Sequence, residues 1–293
     1  MTSLGPVALA EALALVVVQV LCQGSRFLAV LPHDAGLGRL VPLQAFSVGE
    51  VVNALVPARV GDAVKVVMLR QVRPNTHLGV SRVTGALLAD KVVAIATLLV
   101  LSAVAAAVVS HGRLSAAGIG RDLRWVGLVA VVAVGLALAT RRLAARADAM
   151  GRFGAARRFA RGVHRGLSAL REPRCVLYGA TFGIAGWLAE VCVIHILCSS
   201  LGISLGTAAI VLAVAALNLG IAIPLSMANL GAYEAALTFG LTRWGVPIAP
   251  AIAVALAHHA IEITGIACTA GLTSIARSWA PRRRRRAGRS RDE

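Results

Sequence analysis

Charge is what this chain has least of. Only 15% of its 293 residues are Asp, Glu, Lys or Arg, while 58% are hydrophobic and the mean hydropathy is +0.78. A soluble globule carries about a quarter charged residues, so the composition excludes one. No segment is long and polar enough for a soluble catalytic domain. The alternating ten-residue pattern of a membrane β-barrel is missing as well. There is no CxxC pair. The five cysteines, Cys22, Cys175, Cys192, Cys198 and Cys268, are odd in number and lie mostly in apolar stretches. They read as small hydrophobes inside helices, neither a disulfide framework nor a zinc site. The first apolar stretch has no basic region ahead of it, which suits a first membrane span better than a secretory signal.

What the chain does have is long apolar runs, such as residues 92–109, 126–139 and 203–223. Runs of about 20 residues match the hydrocarbon thickness at 1.5 Å per residue. Lipid gives the backbone no hydrogen-bond partners, so the spans must be helical. The pattern predicts an all-α, polytopic membrane bundle with about eight segments, near 6–23, 40–57, 80–110, 124–140, 175–198, 204–223, 229–244 and 248–273. The second and seventh are short, broken by Pro or Gly, and charged, so each is either a span or a re-entrant helix. The membrane unit covers residues 1–276, and a basic tail follows at 277–293.

Acidic residues are scarce beside basic ones, 13 against 30, for a net charge of +17. Such a balance raises nucleic acid as a partner. The arginines, however, sit in blocks between or after apolar spans, where topology signals and anionic lipid contacts belong. Membrane lipids are therefore the expected partners, and nucleic acid is not. The 141–174 loop holds ten arginines and the tail eight. Both are expected in the cytoplasm, with an even number of crossings between them. Counting eight full spans also puts Arg59, Lys65, Arg70, Arg73 and Arg82 inside and makes both termini cytoplasmic. Within the loop, Phe153, Ala156, Ala160, Val163, Leu167 and Leu170 recur at helical spacing, with Arg157, Arg161 and Arg165 on another stripe. That is either a basic amphipathic helix lying on the leaflet or a solvated helix that enforces topology.

Charges inside apolar segments are costly, so their positions carry functional information. A first cluster contains Asn53, Pro57, Arg59, Gly61, Asp62 and Lys65. Pro57 breaks a helix, Gly61 allows close backbone approach, and Asp62 and Lys65 share a helix face. A second cluster runs through Asn218, Pro224, Ser226, Asn229, Gly231 and Glu234. Both have the order Asn, Pro, Gly, acid, a weak internal repeat. Paired broken segments in two halves point to a midplane transport site. With eight full spans the halves run parallel, and a re-entrant cluster changes that orientation. The expected single site has Arg59 and Lys65 near Glu234 around a cavity, with a Glu234–Arg243 pair as the alternative. Asp90 and Lys91 are adjacent and face different partners: Arg59 or Lys65 for Asp90, and an acid such as Glu50 or Glu190 for Lys91. His258 and Glu262, four apart on the last span, suit interhelical hydrogen bonding better than metal binding. No metal or other cofactor is expected.

At these clusters the sequence resembles the flippase-like family built on the transmembrane region of lysylphosphatidylglycerol synthase. The family's Asn-x3-Pro-[Ala/Ser]-Arg-x-Gly-Glu motif appears as Asn53, Pro57, Ala58, Arg59 and Gly61, with Asp62 for Glu. A Glu-Arg-x-x-Asp element appears as Asp90 and Lys91 with Ala94 at its last position. Of Pro-x-x-Pro-Gly-Gly-x-Gly-x-x-Glu, Pro224, Gly231 and Glu234 match, while Met227, Ala228 and Asn229 stand for Pro-Gly-Gly. The resemblance spans Arg26 to Gly271. It implies a translocator of a lipid or lipid-linked molecule in the bacterial cytoplasmic membrane, with substrate contacts at Asn53, Pro57, Arg59, Gly61, Asp62, Lys65, Asp90, Lys91, Asn218, Pro224, Asn229, Gly231 and Glu234. Family members fused to a soluble aminoacyl-transferring domain modify phosphatidylglycerol; this chain has no such domain and is not expected to make that product. The alternatives are a membrane-embedded lipid-modifying enzyme and a non-transporting scaffold for envelope biosynthesis. No compact nucleophile–base constellation favours the enzyme.

Overall fold

The computed structural model describes residues 5–32, 36–56, 59–72, 79–111, 154–222 and 229–280. The helices are α1 (Pro6–Val30), α2 (Leu40–Leu55), α3 (Val60–Val72), α4 (Val80–His111), α5 (Gly154–Gly166), α6 (Pro173–Ser200), α7 (Thr207–Gly220), α8 (Ala232–Thr242) and α9 (Ile248–Trp279), and a 3-10 turn at Leu167–Arg171 leads into α6. No strand occurs among the described residues. The chain is a helical membrane protein, as its composition requires. Pro6 and Pro173 occupy the first turns of α1 and α6, where a missing N–H costs nothing.

Four helices, α1, α4, α6 and α9, are long and apolar enough to cross a bilayer. Their relative directions follow from what touches what. Arg26 of α1 lies against Gly179 and Gly183 of α6, Cys22 lies against Gly186, and Gln19 reaches Glu190. Falling numbers in α1 meet rising numbers in α6, so these two are antiparallel. The α6 glycines let the backbones close on each other, the usual device of packing in lipid. Val93 and Thr97 of α4 meet Gly179 and Gly183 in rising order, so α4 runs parallel to α6. The Trp187 indole fixes that seam, its Nε1 donating to the Ala94 carbonyl at 3.2 Å and to Thr97 Oγ1 at 3.0 Å. Gln44, near the start of α2, bonds Ser274 and Arg277 near the end of α9, while its neighbours Leu43 and Phe46 pack on Gly24 and Phe27 of α1. The end of α1, the starts of α2, α4 and α6, and the end of α9 thus gather at one face. That face carries Arg39, Arg82, Arg174 and Arg277, and it is called the basic face below.

The remaining helices are too short to span. α2 has 16 residues, about 24 Å at 1.5 Å per residue, and α8 has 11, about 17 Å. α2 and α3 form an antiparallel hairpin, since Gly49 abuts Gly61 and Lys65 while Asn53 abuts Gly61. α7 and α8 form another, with Gly220 against Ala236 and Ala213 against Gly240. The first enters from the basic face and the second from the opposite one. Each half is therefore a long helix, a re-entrant hairpin and a long helix, and the halves are inverted with respect to each other.

Of the two alternatives left open for the second and seventh segments, the helices take the re-entrant one: Leu40–Leu55 pairs with α3, and Ala232–Thr242 pairs with α7. A hairpin adds no net crossing. α1 and α9 run parallel, both antiparallel to α6, so Gly5 and the end of α9 lie at opposite ends of the bundle. The expected 124–140 span lies outside the described residues, as does the tail beyond Ala280. Of the 141–174 loop, residues 154–171 are described. There α5 is seated on the start of α4 through glycines: a Cβ on Gly162 would stand 1.8 Å from Ser81 Oγ and one on Gly166 2.2 Å from the Arg82 carbonyl. Arg161 and Arg165 face outward.

Candidate functional site

The first hairpin is held closed at its glycines. A Cβ on Gly61 would stand 1.8 Å from the Gly49 carbonyl, so both positions must be bare for α2 and α3 to approach. That approach lets Lys65 turn inward. Its ammonium pairs with Glu50 across the hairpin at 2.5 Å and with Asp62 one turn away at 2.8 Å, over the ring of Phe46 at 4.5 Å. Lys65 is completely buried. It holds the hairpin together and does not reach open space.

Arg59 behaves differently. It stands just before α3 with φ 54°, in the left-handed region, and its side chain leaves the hairpin. Nη2 donates to the carbonyls of Ile221 at 3.5 Å and Ala222 at 3.4 Å, just past the end of α7. Carbonyls at a helix C-terminus lack backbone partners and carry partial negative charge. A cation from the tip of one hairpin thus lies on the tip of the other. Asn229 (φ 52°) and Gly231 (φ 82°) lead into α8 in the left-handed region. The Glu234 carboxylate accepts the Gly231 N–H at 2.7 Å and meets His259 Nδ1 at 2.7 Å. Tyr233 stacks on His259, with ring centroids 4.1 Å apart, and its hydroxyl bonds His258 Nδ1 at 2.7 Å. These bonds anchor the second hairpin to α9.

A cavity of about 1300 Å³ lies where the tips meet. Its polar wall includes Asn53, Arg59, Lys91, Asn218, Asn229 and Glu262, and much of the rest is aliphatic, such as Leu98 and Leu212. Lys91 is the notable member. The carboxylates whose field reaches it are Glu50, Asp62 and Asp90, and each already holds another cation. Asp90 grips Arg26 through Nε at 2.8 Å and Nη2 at 3.3 Å, a buried two-point pair. Among the described residues Lys91 has no ion pair of its own.

The structure therefore divides the expected site. Asn53, Arg59, Lys91, Asn218 and Asn229 come together on the cavity wall. Gly61, Asp62, Lys65, Asp90, Gly231 and Glu234 stand behind it as packing, pairing and capping groups. Pro57 and Pro224 lie outside the described residues. The partner of Asp90 is Arg26 instead of Arg59 or Lys65, and Glu234 takes His259 instead of Arg243. Arg59 shares a cavity with the second cluster, but Lys65 and Glu234 do not face it. His258 and Glu262 bond to Tyr233 and Gln19 across helix boundaries.

A family model for the lysylphosphatidylglycerol synthase TM region matches residues 1–269. The chain belongs to that family. No curated protein and no solved structure matches. The match runs from α1 into α9, so both hairpins and the cavity between them lie within the lysylphosphatidylglycerol synthase TM region. Reading charges one at a time missed Arg26 as the partner of Asp90 and gave Glu50 to Lys91 instead of Lys65. The usable signal was that Arg26 is the only basic residue in the 25 residues of α1.

Proposed function

We propose that this chain carries an amphiphile with a phosphate-bearing headgroup between leaflets, and that it is a carrier and not an enzyme. The observation that supports this most is Lys91, a cation on the cavity wall with no ion pair among the described residues. A buried charge in lipid without compensation is costly, and an anionic headgroup supplies it. Arg59 and the side-chain amide of Asn53 add donors on the same wall. The apolar remainder suits acyl chains. The basic face is assigned to the cytoplasm by its arginines.

The test is reconstitution of the full chain in vesicles with fluorophore-labelled phosphatidylglycerol, following access of the headgroup to an impermeant quencher. The carrier reading expects protein-dependent exchange. Lys91→Met should slow it about 10- to 100-fold, the equivalent of one charged hydrogen bond at roughly 1.5–3 kcal/mol, and Lys91→Arg should retain most of it. A chemically altered lipid recovered by mass spectrometry would show an enzyme instead. Neither exchange nor product would leave a scaffold.

A further inference from the structure

A second polar centre lies deeper than the headgroup site. Glu190 of α6 is 4% exposed and Gln19 of α1 is 2% exposed. The Gln19 side-chain nitrogen lies 3.4 Å from Glu190 Oε2 and 3.3 Å from Glu262 Oε1, so one amide bridges two carboxyl groups. Asn218 donates to the other Glu190 oxygen at 3.1 Å. Two buried acceptors here, Glu262 Oε2 and Gln19 Oε1, have no hydrogen-bond partner among the described residues.

No cation among the described residues pairs with either carboxyl group. Around the pair, α1 contributes Gln19, and its Arg26 is held by Asp90 of α4. α2 contributes Glu50, already on Lys65. α4 adds Lys91 on the cavity wall, and α7 adds Asn218. From α8 come Tyr233, bonded to His258, and Glu234, bonded to His259. The 3-10 turn with Arg171 and Glu172 sits at the basic end of α6. Among the described residues neither Glu190 nor Glu262 has an ion-pair partner.

We propose that Glu190 and Glu262 form a proton-binding site, holding one proton between them against Gln19, on the wall of the carrier cavity. Two bare carboxylates joined by a neutral amide, with no cation paired to either among the described residues, repel each other at a cost that one proton relieves. A proton on Glu262 turns an unpartnered acceptor into a donor and halves the charge. The carboxylate–amide contacts argue for a proton over a sodium ion, because nitrogen donors and not oxygen ligands face Glu190. Glu262 lines the cavity and Glu190 does not. Proton exchange therefore proceeds through the same space as the headgroup, and that shared space couples the two. The coupling rests on the carrier reading; proton occupancy does not.

Infrared spectroscopy of the purified full chain tests occupancy without any substrate. At neutral pH the wild type should show a carboxylic acid carbonyl band that shifts in D2O, is indifferent to sodium, and is lost in E190Q or E262Q. No such band, a band abolished by sodium, or a band unchanged in both variants overturns the site. The wild-type D2O shift stands even where a variant folds poorly. In vesicles, exchange of labelled phosphatidylglycerol should change several-fold with the sign of an imposed pH gradient, and E262Q should lose that response. Gradient-insensitive exchange overturns the coupling. A band at neutral pH without any exchange supports the proton site and removes the carrier reading instead.

Discussion

Gly61→Ala is the most incisive change to the first hairpin. The added Cβ would stand 1.8 Å from the Gly49 carbonyl and 2.6 Å from Asn53 Oδ1, where ordinary contact begins at 3.4 Å. α3 must therefore back away from α2 by about 1.6 Å at the crossing. Neither obstruction is the flexible end of a long side chain, and one is backbone. The same displacement pulls Lys65 from Glu50, now 2.5 Å apart. Overpacking of this kind costs about 1–3 kcal/mol, and weakening a buried pair adds to it, since losing one partner outright costs roughly 3–5 kcal/mol. Thermal unfolding of the detergent-purified variant should show a clear loss, and labelled-lipid exchange should fall because Arg59 is displaced from the opposing tip. Gly206→Ala is the control: a Cβ there meets nothing within 4 Å. Equal stability of the two variants would mean that α2 and α3 are not closed on each other through bare glycine, and the hairpin account would go with it.

Other consequences follow from the same contacts. Arg26→Met and Asp90→Asn should each destabilise the protein by about 3–5 kcal/mol, and the double variant by much less than their sum, because one buried charge no longer outlives the other; additive losses in a thermal-unfolding cycle would contradict the two-point pair. Arg59→Ala should slow exchange more than it lowers stability, since its bonds of 3.4 and 3.5 Å are long and it lines the cavity. Asp62→Asn should do the reverse, acting through Lys65 behind the wall, and a thermal scan beside an exchange assay separates the two. Gly166→Ala should detach α5, because its Cβ would lie 2.2 Å from the Arg82 carbonyl; faster proteolysis within 154–171 is the readout.

The membrane bundle and much of the cavity wall were legible because each rests on a local property. Long apolar runs mark α1, α4, α6 and α9 whatever they pack against. Asn53, Arg59, Asn218 and Asn229 stand out beside broken helices, and Lys91 stands out as a charge inside a span. What the sequence hides is pairing across helices. α3 contains Asp62, Lys65 and Arg70, so it reads as a cytoplasmic loop. It becomes a membrane-depth helix only because Glu50, 15 positions earlier, neutralises Lys65 when the hairpin closes. The same blindness assigned Asp90 to the nearest cluster and passed over Arg26, 64 positions away. Glycine spacing held a further clue: Gly49 and Gly61 only make sense together, once the two helices are known to be antiparallel.

The parity of the crossings gives a test that does not depend on the cavity. α1 and α6 both span, and they pack antiparallel from Arg26 against Gly179 to Gln19 against Glu190. The start of α1 must then lie across the bilayer from the start of α6, whatever residues 112–153 do. Were α2 a full span, the count would return Gly5 to the side of the arginine-rich loop. In the second half, replacing two spans by one hairpin leaves the parity even, so the end of α9 stays with the start of α6 on either count. Position 5 therefore discriminates, and position 279 serves as the internal standard. In a cysteine-free background, Gly5→Cys and Gly206→Cys should react with an impermeant thiol reagent in intact cells. Arg161→Cys and Trp279→Cys should react only after the membrane is opened. Both Arg161 and Trp279 are exposed, so accessibility is set by the side of the membrane and not by burial. Protection of position 5 together with position 161 would place both on one side. That would break the antiparallel packing of α1 on α6, and with it the inversion that lets two hairpins enter from opposite faces and meet at Arg59.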